Sequence, residues 1–398
     1  MYSFRQIVLQ NNKCECNNVS ESKNTLGIIN ILLVICSGIS MYGHWCYITR
    51  YIEDLTKIAE SICTALQTCV SIIKMIYFLF VQRNLYVLLD KAQSHEIIRQ
   101  SEIFRNDFPV LRRLIKIIRD IMENNWKNIR AQLLFYICSC AVIISNYFFS
   151  ALFLNMYHQI KGTPNYEHVL PYPSVYPIWE SKGMSFPYHY IQMLLCGCAN
   201  MYIAGMCAVS FDGVFIVLCV HGVGLIEVLN VMIEQSTSSD VVKERRVEYL
   251  RNCINLYQNT YEYLLNFSKM YKHISLSQFL LSLVIWGIVL FQMNIQPNKI
   301  TLVRMVLYLS AAGYEIIFYC YNSQRLTNEY EKIPLAFYNC DCYNESKEFK
   351  QQQRMMILRT NRIFNIKISW FTTMSLPTLM IMIKTSGSYF LLLKNLSE

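Results

Sequence analysis

The sequence predicts an all-α membrane protein with seven transmembrane helices. Of its 398 residues, 54% are hydrophobic and 16% are charged, which is too apolar for an ordinary soluble chain of this length. A helix needs about 20 mostly apolar residues to cross a hydrocarbon core about 30 Å thick. Seven stretches meet this requirement, and they lie at residues 26–48, 60–81, 130–157, 187–220, 273–294, 299–321 and 368–393.

The first stretch has the features of a retained membrane span. Residues 1–25 precede it and are mostly polar, and the stretch is too long for the core of a signal peptide. No A-x-A-like cleavage site follows it. We therefore expect residues 1–25 to form a tail on one side of the membrane.

Lysine and arginine concentrate on one set of connections between the spans. The tail and residues 82–129, 222–272 and 322–367 hold 26 of them, whereas the alternate connections and the C-terminal end hold 6. Because basic residues accumulate on the cytoplasmic side, we predict a cytoplasmic N-terminus and an extracellular C-terminus. A basic cytoplasmic face also accounts for the net charge of +9, so we expect no nucleic-acid partner.

The connections differ in character on the two sides. Residues 111–129, LRRLIKIIRDIMENNWKNI, place Leu114, Ile118 and Met122 on one helical face, which predicts that the spans continue as helices below the membrane. On the other side, residues 163–187 contain five prolines, which exclude a regular helix. We expect that connection to form a compact lid or rim over the outer face.

Ionisable residues inside spans are costly and are therefore candidates for function. Most such residues nevertheless reach an interface or pair with a neighbour inside the bundle, and Asp212 is expected to have a structural hydrogen-bonding role. The five candidates are Lys74, Asp212, Arg304, Glu315 and Lys384.

No pattern in the sequence indicates an enzyme. It contains no H-E-x-x-H, G-x-S-x-G or P-loop motif. An intramembrane hydrolase would need a pair of acids or a Ser/His pair on facing spans, and no specific pattern points to one. We expect no cofactor.

The sixteen cysteines include four C-x-C pairs. Two pairs lie in spans, where residues two apart point about 200° from each other and cannot share an ion. The other two could meet on the cytoplasmic side as a four-thiolate zinc site, although their spacing is shorter than usual. We expect reduced or packed thiols and no metal. The pairs are Cys138–Cys140 and Cys196–Cys198 in spans, and Cys14–Cys16 and Cys340–Cys342 outside them.

The last span carries one polar stripe. At 100° per residue, Lys384, Ser388, Leu392 and Asn395 fall at about 0°, 40°, 80° and 20° around the helix. Several such helices around an axis would form a wet wall narrowed by an apolar ring, where ion pores close by dewetting. The alternative is that the small and hydroxyl residues here allow close helix packing.

This last span resembles a known family signature. The segment FTTMSLPTLMIMIKTSGSYFLLL, residues 371–393, is similar to the C-terminal signature of insect odorant receptors, S-L-x-T-F followed by K-x-S-x-S-Y-F-x-x-L. The outer loop, the exit of the fourth span and the second span also resemble that family, so the similarity covers most of the chain. The gustatory-receptor pattern T-Y-x-x-x-x-x-Q-F fits less well, and the long second cytoplasmic loop of the odorant co-receptor is absent.

The resemblance implies a ligand-tuned subunit of an odorant-gated, non-selective cation channel. Such a subunit assembles with the co-receptor as a heteromeric tetramer in the plasma membrane of olfactory neuron dendrites. The lipid bilayer, permeant cations and a volatile ligand are its other partners. The implied divisions are a cytoplasmic tail (1–25), a six-helix bundle with an outer-half ligand pocket (26–321), a cytoplasmic anchor segment (322–367) and a pore-lining last helix with a short extracellular tail (368–398).

The resemblance also implies functional residues. Alignment of Ser388-Tyr389-Phe390 with the co-receptor's T-Y-F places Leu392 at the apolar gate and Asn395 and Leu396 at the outer lining. With Lys384 and Ser388 of the polar stripe, these are the predicted pore residues. Lys394 departs from an apolar position of the family. The pocket of the family lies between spans two, three, four and six. Depth and helical face give the ligand-binding candidates Thr68, Ile72, Tyr147, Ser150, Phe153, Met193, Gly197 and Tyr308.

Other classes of membrane protein remain as alternatives. They are a gustatory-receptor-like channel, a G-protein-coupled receptor of opposite orientation and a transporter, although inverted repeats are not evident. Four glycosylation sequons test the orientation, because Asn18, Asn266 and Asn344 are cytoplasmic in our orientation and Asn395 lies close to the membrane.

Overall fold

The computed structural model describes residues 18–101, 111–162, 170–176, 188–295, 299–369 and 372–397, and seven long helices dominate it. The helices are α1 (Asn18–Arg50), α2 (Leu55–Gln93), α3 (Leu111–Lys161), α4 (Tyr188–Glu234), α5 (Arg246–Ile295), α6 (Lys299–Tyr330) and α7 (Leu376–Ser397).

Each predicted span lies within one of these helices, except for the first residues of the fourth and seventh spans. Within the described part of the chain, five helical stretches are long and apolar enough to cross a membrane: Ile28–Arg50, Lys57–Gln93, Arg113–Lys161, Ala199–Thr237 and Lys243–Asn294. Helix α7 contains a shorter apolar stretch, Leu376–Leu392. The predicted all-α membrane fold is confirmed.

Three helices are far longer than a membrane is thick. Helices α3, α4 and α5 contain 51, 47 and 50 residues, which span about 70–75 Å at 1.5 Å per residue. The predicted extension beyond the spans is therefore confirmed. On α3 it buries Leu114 and Ile118, the apolar face that the periodicity indicates. We call the end of the bundle with these extensions the inner end.

The most densely buried part of the core lies towards the inner end. An aromatic cluster joins α4, α5 and α6, because Phe215 lies 5.3, 5.1 and 4.3 Å, centroid to centroid, from Phe267, Tyr271 and Tyr319. Two short helices, Ile333–Tyr338 and Lys347–Thr360, follow α6. They bury Ile333, Phe337 and Phe349 completely, so the segment after α6 is part of the folded body.

At the opposite, outer end, residues 170–176 cover the bundle. The Tyr172 hydroxyl lies 3.0 Å from the Ser40 hydroxyl of α1, and Ser61 of α2 donates to the Pro173 carbonyl at 3.1 Å. A Cβ on Gly43 would lie 2.6 Å from the Tyr176 ring, so only glycine permits this close approach. These contacts agree with the predicted lid, whose residues 163–169 and 177–187 lie outside the described residues.

Helix α7 packs against α5 and α6 through a single face. Leu379, Met382 and Ser386 are buried on that face. A Cβ on Gly287 of α5 would lie 3.2 Å from the Tyr389 Cβ, which marks a close approach of the two helices. Among the described side chains, Ile381, Lys384 and Leu392 are exposed on its other faces.

Candidate functional site

A cavity of about 130 Å³ lies between α2, α3, α4 and α6. An engineered apolar cavity of about 150 Å³ binds benzene, so this space suits a molecule of similar size. Small residues of α4 and α6 leave the space open, and branched residues of α3 complete an apolar wall. The apolar lining residues are Ile143, Ile144, Met201, Ala204, Gly205, Ala208, Ala311 and Ala312.

Two tyrosines form the aromatic part of the wall. The rings of Tyr147 and Tyr308 meet edge to face, with centroids 6.5 Å apart and an interplanar angle of 73°. The Tyr308 hydroxyl donates to the Cys63 carbonyl of α2 at 3.2 Å, which fixes the position of this ring. The pair therefore presents a rigid aromatic surface to a ligand.

The outer end of the cavity is polar. Asn200 is 6% exposed, and its Nδ2 lies 3.4 Å from Thr68 Oγ1. Thr68 in turn donates to the Thr64 carbonyl at 2.9 Å. Tyr172, from the segment that covers the bundle, closes this end.

The inner end of the cavity carries a buried cluster of charges, formed by Lys74, Asp212 and Glu315. The Lys74 ammonium donates to both Asp212 carboxylate oxygens at 2.8 and 2.9 Å and to Glu315 Oε1 at 2.5 Å. Two hydroxyls also donate to Asp212, from Tyr136 at 2.9 Å and Tyr319 at 2.6 Å. All three charged residues are at most 4% exposed.

This charge cluster connects all four helices around the cavity. Lys74 lies on α2, Tyr136 on α3, Asp212 on α4 and Glu315 on α6. Two carboxylates face one ammonium, and the two tyrosines supply the further donors that a buried carboxylate requires. Glu315 and Tyr136 line the cavity, so a ligand at its inner end lies next to this cluster.

The structure shows where the ionisable residues of the spans lie and which of them pair. The expected pairing inside the bundle is confirmed for Lys74, Asp212 and Glu315, and so is the hydrogen-bonding role of Asp212. Lys384 is exposed on α7. The side chain of Arg304 lies outside the described residues.

The candidate ligand residues divide into three groups. Thr68, Tyr147 and Tyr308 line the cavity. Ser150 and Phe153 instead line a shallow groove on the surface of α3, where Phe153 is 63% exposed. Ile72 is not among the residues around the cavity, Gly197 packs against Pro171 and Tyr172, and the Met193 side chain lies outside the described residues.

Several residues of the cavity were not among the ligand-binding candidates. Asn200, Gln67 and Tyr136 line it, and so does Glu315, which the sequence marks only as an ionisable residue of a span. A sequence signal exists on α4, where Asn200, Ala204 and Ala208 recur every four residues as a stripe of small or polar side chains. Such a stripe allows either close packing or a cavity, and only the neighbouring helices decide which.

The predicted polar stripe of α7 faces away from the bundle. Lys384, Ser388, Leu392 and Asn395 are exposed, and the Leu392 side chain is 55% exposed. The buried residues Met382 and Ser386 lie on the opposite side of the helix, so one chain leaves the stripe uncovered. The Leu396 side chain lies outside the described residues.

The two C-x-C pairs outside the spans are described only in part. Cys340 is buried, and its thiol donates to the Ile233 carbonyl at 3.2 Å, which is the packed state expected for most thiols. Cys14 and Cys16 lie outside the described residues.

The family model described as "7tm Odorant receptor" matches residues 54–387, which is most of the chain. The chain belongs to the odorant receptor family. This receptor is 48% identical over 385 residues to Odorant receptor 63a of Drosophila melanogaster, covering 95% of this chain and 91% of the relative. It is 25% identical to Odorant receptor 67b of the same organism, covering 93% of this chain and 89% of the relative.

A solved structure has the same fold. It is the insect olfactory receptor OR5 from Machilis hrabei in complex with eugenol, with a TM-score of 0.76 and 16% sequence identity. The alignment covers 96% of this receptor and 93% of that chain.

The family assignment settles the general class of the receptor. Odorant receptors are a ligand-gated channel family and not enzymes. The apolar helices identify the receptor as a multi-pass membrane protein. The predictions of an insect odorant receptor and of no enzymatic activity are confirmed.

Proposed function

We propose that this receptor is a ligand-tuned subunit that binds a small volatile molecule in the cavity between α2, α3, α4 and α6. It gates a non-selective cation channel that it forms with the odorant co-receptor as a heteromeric tetramer. The observation that carries this proposal is a mainly apolar cavity between four helices, in a chain whose last helix leaves a polar stripe uncovered.

The cavity suits a volatile ligand because most of its wall is apolar. A volatile molecule has few polar groups, so dispersion contacts and loss of hydration supply most of its binding energy. The rigid pair of Tyr147 and Tyr308 and the small residues opposite supply such contacts. A few polar groups at the two ends then select among ligands of similar size.

The polar stripe of α7 is the proposed pore lining. In a tetramer, Lys384, Ser388, Asn395 and Leu396 face the axis, and Leu392 forms an apolar ring. A narrow apolar ring excludes water and therefore ions, which gives the closed state. In the open state the α7 helices move apart and Leu392 leaves the axis.

Helix α6 is the proposed connection between ligand and gate. It contributes Tyr308 and Glu315 to the cavity and also packs on α7. A ligand opens the channel only to the extent that it binds the open state more tightly than the closed state. A small shift of α6 at the cavity can therefore bias the position of α7.

The proposed orientation places the N-terminus in the cytoplasm and the C-terminus outside. The proposed divisions are the tail (1–25), the ligand-binding bundle (26–321), the anchor (322–367) and the pore helix with its extracellular end (368–398). Apolar side chains of the anchor, such as Tyr338, Tyr343 and Leu358, are exposed and are available to neighbouring subunits. The proposed location is the plasma membrane of olfactory neuron dendrites.

Whole-cell current recordings test this function. The receptor is expressed alone and with an insect odorant co-receptor, and the cells are exposed to a broad panel of volatiles while surface expression is measured. Odorant-evoked cation current only on co-expression supports the tuning-subunit proposal, whereas current from the receptor alone indicates a homomeric channel. Silence in both conditions, with receptor at the surface, contradicts the proposed function.

A further inference from the structure

The orientation of the Asn200 side chain defines a free acceptor at the outer end of the cavity. Its Nδ2 points to Thr68 Oγ1, whose own hydrogen is already donated to the Thr64 carbonyl. The flipped amide would place an oxygen against an oxygen that has no hydrogen to offer, which favours this orientation at the Thr68 contact. Asn200 Oδ1 is the atom left over, and it is buried with no hydrogen-bond partner in the described residues.

A buried carbonyl oxygen without a donor is rare in native proteins, because its lost hydration is not replaced. Asn200 borders the cavity, so a molecule inside the cavity can supply the missing donor. At the other end, Glu315 Oε1 is already engaged by Lys74. The two ends are about 12 Å apart along α4, measured from Asn200 to Ala208.

We propose that the ligand carries a hydroxyl or N–H group that donates a hydrogen bond to Asn200 Oδ1, with its apolar body against Tyr147 and Tyr308. This inference rests on the proposed function, because it names the chemical class that the same cavity selects. Alcohols, phenols and volatile amides with one N–H fit this arrangement. Ethers and esters of the same size fill the space but leave the oxygen unpaired.

Pairs of isomers isolate the donor group from size and shape. Benzyl alcohol and anisole have the same atoms, as do hexan-1-ol and 1-methoxypentane, but only the alcohols donate a hydrogen bond. They are included in the panel applied to cells that co-express the receptor and the co-receptor. We expect half-maximal current at about 3- to 10-fold lower concentration for the alcohol of each pair, which corresponds to one neutral hydrogen bond.

Asn200→Leu provides the decisive comparison, because leucine has the same number and branching of side-chain heavy atoms and no acceptor. We expect the variant to lose the preference for alcohols, with the alcohol falling to the sensitivity of its isomer. Asn146→Leu, on the surface groove of α3, is the matched control and is expected to keep the preference. The ratio within each pair is an internal measure that does not depend on the number of receptors at the surface.

The outcomes separate this inference from the proposed function. Equal sensitivity to the two isomers in the unmodified receptor overturns the inference, and a water molecule held by Asn200 then accounts for the free oxygen. An alcohol preference that survives in Asn200→Leu overturns it as well, as does a panel whose strongest agonists all lack a donor. Silence to every compound with the receptor at the surface overturns the proposed function itself.

Discussion

Replacing Lys74 with methionine removes the only cation of the charge cluster at the inner end of the cavity. The lysine holds both oxygens of Asp212 and one oxygen of Glu315 within 3 Å, and its side chain is 2% exposed. Without it, two carboxylates remain buried side by side. Removal of one partner from a buried ion pair costs about 3–5 kcal/mol, a large part of the roughly 5–15 kcal/mol that stabilises a folded domain.

A matched control lies on the same helix. Lys57 pairs with Asp54 at 3.5 Å, but its side chain is 52% exposed, and exposed pairs contribute about 0–1 kcal/mol. Lys57→Met is therefore expected to be nearly neutral. Both variants are compared with the unmodified receptor by the fraction at the cell surface and by thermal unfolding in detergent, followed by size-exclusion chromatography.

A third variant separates lost charge balance from lost packing. In the triple variant Lys74→Met, Asp212→Asn, Glu315→Gln, no charge remains. One of the two tyrosines can still donate to the amide oxygen, and the other can accept from the amide nitrogen. We expect the triple variant to regain much of the stability that Lys74→Met loses. The reasoning is refuted if Lys74→Met unfolds at the temperature of the unmodified receptor, or if the triple variant is no more stable than the single one.

Three further predictions concern the gate, the cavity and the orientation. Leu392→Ser is expected to raise the resting current of the co-expressed channel by wetting the constriction. Ile383→Ser, on the opposite side of the helix from Leu392, should not raise it. Normal closure in the Leu392→Ser channel would count against Leu392 as the gate. Tyr308→Ala is expected to weaken odorant sensitivity about 10-fold or more, because it removes the edge-to-face ring contact with Tyr147 and the hydrogen bond to Cys63. An unchanged dose response would argue against the cavity as the ligand site. The sequons at Asn266 and Asn344 are expected to stay unglycosylated, because both lie on the cytoplasmic side in the predicted orientation. A glycosidase-sensitive mobility shift that disappears in Asn266→Gln or Asn344→Gln would show the opposite orientation.

The spans and their extensions could be predicted because their signal is local. Hydropathy over about 20 residues identifies a span, and the apolar periodicity of residues 111–129 predicts the buried face with Leu114 and Ile118. The stripe of α7 is equally local, because four residues on one helix define it. Each of these features depends on residues that are neighbours in the chain.

The cavity could be placed only in part, because its shape depends on distant residues. Lys74 and Glu315 are 241 positions apart, and no pattern in the sequence indicates that they meet. Depth along α3 predicts both Tyr147 and Ser150 as ligand residues, but only Tyr147 lines the cavity. Ser150, one turn further along, lies in the surface groove. The rotation of α3 about its axis is set by packing against α4, where Gly205 allows a close approach to Ile144.

The position of Lys384 on the uncovered face of α7 has a consequence for mixed assemblies. In the proposed tetramer, each copy of this receptor contributes one ammonium group facing the axis. Channels with one, two or three copies therefore differ by whole positive charges at the same depth of the conduction path. Because like charge repels permeant cations, unitary conductance should fall in steps, and Lys384→Gln should abolish the steps. Single-channel conductance therefore reports how many copies of this receptor each channel contains.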